Sequence, residues 1–226
     1  DGAINITGTG GAGRDDNYGV LIRGTDPVAA TTSVTGQSGD ITITGIGGTD
    51  GTAKNDRNMG VVIDAGADIR SNGSGSSAGV ITITGTAAAG GDDENRGVFV
   101  EGDGTTIIAT HGLITLEGEG RTAGLEGSVD NHGVEISDQA VIDATGSGIF
   151  AQGITINGTG GAGTTSNYGV LIENTDTQIT AGDGAINITG VAQESDLGAV
   201  ANIGVLIQDS ALIEADGTGS DAQDVT

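Results

Sequence analysis

The chain has 226 residues, with 45 glycines, one proline and no cysteine, and a formal net charge of −24 from 31 acidic against seven basic side chains. That charge excludes a nucleic-acid partner, since phosphates would be repelled, and it disfavours an anionic membrane surface. The missing cysteines exclude disulfide staples and thiol chemistry, glycine without a three-residue period excludes collagen, and no apolar run approaches the ~20 residues of a membrane span. Apolar residues, 35% of the chain, are too regularly placed for disorder. The four aromatics, Tyr18, Phe99, Phe150 and Tyr168, leave a core that must be narrow and aliphatic.

The first element is Ile4-Asn5-Ile6-Thr7-Gly8, where apolar and polar residues alternate as in a strand with one buried face. A glycine-rich stretch leads to Asn17-Tyr18-Gly19-Val20-Leu21-Ile22, a second strand, and Val34 with Gly36 marks a weaker third. The trio then returns as Ile41-Ile43-Gly45, Asn58 to Ile63 and Ile69/Ser71. It recurs as Ile81-Ile83-Gly85, Asn95 to Val100 and Ile107/Ala109, then as Ile114-Leu116-Gly118, Asn131 to Ile136 and Ile142/Ala144. Ile154-Ile156-Gly158, Asn167 to Ile172 and Ile179/Ala181 form the fifth set. Ile186-Ile188-Gly190, Asn202 to Ile207 and Ile213/Ala215 form the sixth. Asp224-Val225-Thr226 restarts the pattern as Asp40-Ile41-Thr42 does, and the octet Asp1 to Gly8 recurs whole at Asp183 to Gly190. The expectation is one segment, 1–226, cut from a longer repetitive chain, with repeats at 2–38, 39–78, 79–111, 112–152, 153–183 and 184–226.

The repeated Asn falls at 17, 58, 95, 131, 167 and 202, at spacings of 41, 37, 36, 36 and 35. Length varies between the first and second strands and after the third. Constant strands with variable turns are the mark of a solenoid, in which each coil buries its face on its neighbours. The predicted fold is all-β: a right-handed parallel β-helix of about six coils of three short strands, with a longer loop between the first and second strand. Right-handedness is the default for parallel crossovers. Coils ~4.8 Å apart would give a rise of roughly 29 Å. Equivalent Ile would stack inside, and Asn17, Asn58, Asn95, Asn131, Asn167 and Asn202 would form an amide ladder at a turn. The Gly after each Asn provides either φ > 0 or close backbone approach, and Asn is the next most tolerant of φ > 0. A propeller or sandwich of ~36-residue units is the alternative, but it lacks its fourth strand and aromatic signature.

The I-x-I-T-G, N-x-G-V-x-I and I-x-A pattern resembles the repeats of filamentous-haemagglutinin-like adhesins and autotransporter passenger domains. The likeness covers nearly the whole chain; the longer loop between the first two strands departs from the tighter coils of those stalks. It implies attachment, stalk or matrix duty outside a bacterial cell, with host or surface glycans among the partners.

Several motifs that would signal chemistry lack their context. Gly8-Thr9-Gly10-Gly11-Ala12-Gly13 spells G-x-G-x-x-G, repeated from Gly158 to Gly163, but a strand follows where a dinucleotide site needs a helix. Gly75-Ser76-Ser77-Ala78-Gly79 fits G-x-S-x-G without the helix or histidine partner of a nucleophile elbow. Gly10 to Asp15 begins like a calcium nonapeptide, yet Asn17 fills the next apolar position. Acids do recur on that flank. Asp15, Asp16, Asp92, Asp93 and Glu94 are calcium candidates, against the plainer reading of a solvated acidic face. No other cofactor is implied. A polysaccharide-active β-helix enzyme is the lesser alternative, needing carboxylates near Arg or Lys and aromatic platforms for sugar rings; the arginines read as scattered in loops and the acids as lying on variable turns, so no enzyme is expected.

Two outward rows stand out. Asn5/Thr7, Thr42/Thr44, Thr82/Thr84, Thr115/Glu117, Thr155/Asn157 and Asn187/Thr189 form a Thr/Asn face that would suit an ice- or ligand-binding module, though Thr is also simply a good strand residue. In the second strand, Leu21, Val62, Phe99, Leu171 and Leu206, with Glu135, should point outward as a packing face, unless the preceding loop folds over it. The expected function is that of a rigid extracellular rod in an adhesin, sheath or filament. It would associate with itself end to end or laterally, or continue into further coils of the same chain.

Overall fold

The computed structural model describes residues 2–13, 15–26, 32–48, 56–88, 93–120, 129–193 and 201–217. Asp92 and residues 224–226 lie outside them. Three sheets of six strands run the length of the molecule. The first stacks β1 (Ile4–Thr9), β4 (Ile41–Ile46), β7 (Ile81–Thr86), β10 (Ile114–Glu119), β13 (Ile154–Thr159) and β16 (Ile186–Val191). The second stacks β2 (Val20–Arg23), β5 (Val61–Asp64), β8 (Val98–Glu101), β11 (Val134–Ser137), β14 (Val170–Ile172) and β17 (Val205–Ile207). The third stacks β3 (Thr32–Gly36), β6 (Ala67–Ser71), β9 (Thr106–Ala109), β12 (Val141–Ala144), β15 (Gln178–Ala181) and β18 (Leu212–Ala215). The fold is a parallel β-solenoid with three strands per coil and about five turns from β1 to β16. Among the described residues the only helical pieces are single 3-10 turns at Gly75–Ser77 and Gly148–Phe150.

Every neighbouring pair is parallel and holds the register read from the repeats. Ile43 lies opposite Ile83, and Ile83 opposite Leu116, in one interior column. Val61, Val98, Val134 and Val170 form another, and Ile69, Ile107, Ile142 and Ile179 a third. These residues are wholly buried and make one continuous aliphatic core. Burying each such side chain is worth about 1.5–3 kcal/mol relative to leaving it exposed, and an in-register stack lets every coil collect that gain on both edges.

Two glycine columns shape the corner between the first and second sheets. A Cβ built at Gly8, Gly45, Gly85, Gly118, Gly158 or Gly190 would fall well inside 3.0 Å of the carbonyl oxygen of Gly19, Gly60, Gly97, Gly133, Gly169 or Gly204 respectively. Of the two roles expected for the glycine after the Asn, close approach is the one found, because none of these six has positive φ. The positive-φ position is instead the residue before each Asn. Asp16, Arg57, Glu94, Asp130, Ser166 and Ala201 all adopt φ between 55° and 59°, a conformation that costs an L-residue about 1–2 kcal/mol. The Asn therefore owes its repetition to its side chain rather than to backbone tolerance.

Candidate functional site

The Asn column is a directional ladder. Asn17 Nδ2 donates to Asn58 Oδ1 at 2.7 Å, Asn95 Nδ2 to Asn131 Oδ1 at 3.1 Å, Asn131 Nδ2 to Asn167 Oδ1 at 3.2 Å and Asn167 Nδ2 to Asn202 Oδ1 at 3.3 Å. The same Oδ1 atoms accept backbone N–H groups, as Asn58 N–H donates to Asn95 Oδ1 at 2.8 Å. The other Nδ2 hydrogen closes the αL turn, for example Asn131 to Val129 O at 3.0 Å. A side chain that donates twice and accepts twice at this length is an amide.

The acidic flank beside the ladder has its own vertical hydrogen bonds. Asp15 Oδ1 accepts Asp56 N–H at 3.2 Å, Asp56 Oδ1 accepts Asp93 N–H at 3.2 Å, and Asp93 Oδ1 accepts Val129 N–H at 2.8 Å. Asp16 binds Arg57 at 2.8 Å and accepts the Tyr18 hydroxyl at 2.8 Å. Glu94 lies 3.8 Å from Arg96. Among the described residues no three His, Cys, Asp or Glu side chains converge as a metal site requires. Asp15, Asp56 and Asp93 thus each accept a main-chain N–H of the next coil, whereas Asp16 and Glu94 face arginines.

The outward face of the second sheet carries an open groove of about 640 Å³. Of the candidate packing face, Leu21 is 41% exposed, Leu206 is partly exposed, and Val62, Phe99 and Leu171 are buried, with Val62 at 2%. Tyr18, Met59 and Arg96, which share one row, line one side, and Met59 and Tyr18 pack against Val62 and Phe99. Arg23, Asp64, Glu101, Ser137 and Glu173 lie on the other wall, with Asp138 and Asn174 in the turns beyond. Sequence reasoning missed this convergence. Three arginines read as scattered are each held by a carboxylate of an adjacent coil: Arg23 by Asp64 at 2.6 Å, Arg57 by Asp16, and Arg96 by Glu135. The register carries the signal, since Arg23 and Asp64 are direct partners across β2 and β5.

At the centre, Arg96 lies over the Phe99 ring at 4.7 Å and pairs with Glu135, which is buried at a position filled by apolar residues in other coils. Tyr168 N–H donates to His132 Nδ1 at 3.2 Å. This leaves the His132 Nε2 proton facing Glu135 at 3.5 Å. The His132 and Tyr168 rings stack at 5.0 Å. Burial pushes the Glu135 carboxyl up to about 7 against the pull of Arg96. Burial, and then the Arg96 charge, pushes His132 down to about 3. Glu101 is also raised, first by burial and then by Asp64 and Asp138.

No family model, no curated protein and no solved structure matches the chain. The solenoid stands on its own geometry, and kinship with filamentous-haemagglutinin-like adhesins gains no support from these comparisons. No helix among the described residues is long and apolar enough to cross a membrane.

Proposed function

We propose that the chain is a non-enzymatic structural segment of a bacterial extracellular rod, of the kind adhesins, sheaths and filaments use, and that it associates with itself end to end. Continuity carries this reading: six strands in each sheet hold one register without a break. Core residues wholly buried in the middle coils have partly exposed counterparts in the outer ones, namely Ile4, Ile6, Ile188, Val205 and Ile213. Open strand edges with apolar columns invite pairing with a second copy. The polarity of the Asn ladder favours head-to-tail addition, with the Asn202 edge meeting an Asn17 edge. The charge of −24 keeps such rods soluble in screened, salt-rich surroundings, and surface glycans are the partners an adhesive role would bring.

Negative-stain electron microscopy of the purified chain tests this. Rods longer than the roughly 29 Å rise of six coils are expected, and Ile4→Lys with Ile6→Lys should reduce them to short particles. Uniformly short particles from the unaltered chain would overturn end-to-end association.

A further inference from the structure

The outward face of the first sheet and the corner beside it carry a motif that neither the core nor the ladder requires. Four asparagines open the triplet Asn-x-Ser/Thr with no proline in the middle: Asn5-Ile6-Thr7, Asn72-Gly73-Ser74, Asn157-Gly158-Thr159 and Asn187-Ile188-Thr189. Each of the six ladder asparagines is followed two places later by glycine instead. All four triplet asparagines are exposed. In β1, β13 and β16 the period of two sends the asparagine and the threonine outward together, while the residue between them faces inward. Asn72 and Ser74 are exposed on the turn that joins the third sheet to the first. The fold does not demand amides at these places. Asn157 lies opposite Glu117 and Thr189, Asn5 opposite Thr42, and Asn187 opposite Thr155, so the same columns accept Thr or Glu. The turn at Gly148–Phe150 repeats the turn at Gly75–Ser77, with the N-cap residues Ser147 and Ser74 at φ −130° and −131°, and there Thr145 takes the place of Asn72. The Ser74 side chain makes no cap hydrogen bond.

We propose that Asn5, Asn72, Asn157 and Asn187 are acceptors for N-glycosylation by a transferase that reads Asn-x-Ser/Thr. The co-substrate is a sugar held on a diphosphate through its anomeric carbon. Asn Nδ2 attacks that carbon, the carbon–oxygen bond to the diphosphate breaks, the diphosphate leaves with the electron pair, and the amide proton passes to a base on the transferase. The fold sets the order of modification. β13 is hydrogen-bonded on both edges, to β10 and to β16, so Asn157 cannot enter an enzyme cleft without opening two ladders. Asn72 lies outside every strand. Asn72 is therefore the acceptor open in the folded chain, and Asn157 is modified before its coil closes. None of the four lies on the second sheet, so the sugars cover one side of the solenoid and leave the paired arginines bare. This assignment is independent of end-to-end association.

Peptide mass spectrometry of the protein isolated from its producing cell tests the proposal, with sugar expected on the Asn72 peptide and on the strand asparagines. A single hexose marks a nucleotide-linked donor and a preassembled oligosaccharide a lipid-linked one. The order is tested with a sequon-specific N-glycosyltransferase and nucleotide-linked glucose, either supplied during synthesis of the chain or added to the purified folded chain. Synthesis with the enzyme should modify Asn72 and Asn157, and addition to the folded chain Asn72 but not Asn157. Ser74→Ala should lose the sugar at Asn72 and at no other site, with an unchanged circular dichroism spectrum. A native protein bare at all four asparagines, sugar carried on Ser or Thr hydroxyls instead, or undiminished modification of Asn72 in Ser74→Ala would each overturn the assignment. Equal modification of Asn157 and Asn72 in the folded chain would overturn the order.

Discussion

Asn131→Asp removes one nitrogen from the middle of the ladder without changing its shape. In the wild type, Asn131 is fully buried. Its Oδ1 accepts Asn95 N–H at 3.0 Å and Asn95 Nδ2 at 3.1 Å. Its Nδ2 donates to Val129 O at 3.0 Å and Asn167 Oδ1 at 3.2 Å. The carboxylate keeps the two accepting roles and loses both donations, so two oxygen–oxygen contacts replace two hydrogen bonds. A buried partner left unsatisfied costs about 1–3 kcal/mol, more near a charge. Charge-assisted acceptance from Asn95 offsets part of this. The expected loss is about 3 kcal/mol near neutral pH. Burial raises the folded pKa of the new Asp above its unfolded value of about 3.9. The penalty is therefore full above the folded pKa and shrinks as pH falls through it, because protonation restores one donor. Urea unfolding at mildly acidic and mildly alkaline pH measures the difference, and amide exchange around Asn95 reports local opening in a repeat array. Asn202→Asp is the internal comparison. Asn202 is the last described rung, its Nδ2 reaches Gly163 O at 3.3 Å and no further rung among the described residues, and the expected cost is about 1 kcal/mol or less. Equal costs at the two positions, or a loss below about 1 kcal/mol for Asn131→Asp at neutral pH, would refute the ladder as a source of stability.

Gly85→Ala drives a methyl into the Gly97 carbonyl at the sheet corner and should cost about 3 kcal/mol or prevent folding, whereas Gly11→Ala, with nothing within 4 Å, should leave the melting temperature nearly unchanged. Glu135, raised to about 7 in the fold from about 4.3 unfolded, contributes stability present in full at acidic pH and lost as pH rises through about 7. His132, lowered to about 3 from about 6.5, contributes stability present above about 6.5 and lost as pH falls toward 3. In Glu135→Gln the decline that Glu135 contributes from about pH 4.3 to about 7 should therefore vanish, so that the His132-linked loss of urea stability, as pH falls from about 6.5, stands out more steeply than in the wild type.

The fold was almost wholly legible because a solenoid writes its contacts into its repeats. Ile43, Ile83 and Leu116 share a column for the same reason that they share a place in the pattern. The role of the repeated glycines was only half legible, since a sequence cannot tell a positive φ from a close backbone approach, and coordinates were needed to set Gly85 against Gly97. The groove was less legible still. Arg57 and Asp16 are 41 residues apart and look like unrelated loop residues until the coils are superposed, when both fall one place before the ladder Asn. Burial of Val62 and Phe99 could not be read from alternation, which sets which face a side chain points to and not how high its neighbours stand beside it.

Fixed and variable columns lie side by side in this chain, and that arrangement bears on how a rod can acquire a site. A slip of one residue in any strand would turn its aliphatic face outward, and in the second strand it would also bring a residue with a side chain to the corner where Gly19, Gly60 and Gly97 meet backbone, so the register is specified by at least three different columns at once. With the register so secured, the outward row of the second strand need not help specify the fold, and it holds Leu, Val, Phe and Glu in successive coils. Charges placed there meet partners one coil away, as Arg23 meets Asp64 and Arg96 meets Glu135. Changing the surface of such a scaffold requires substitutions in two or three neighbouring coils and no change to the interior, which is why a solenoid can vary its outward face without losing its register.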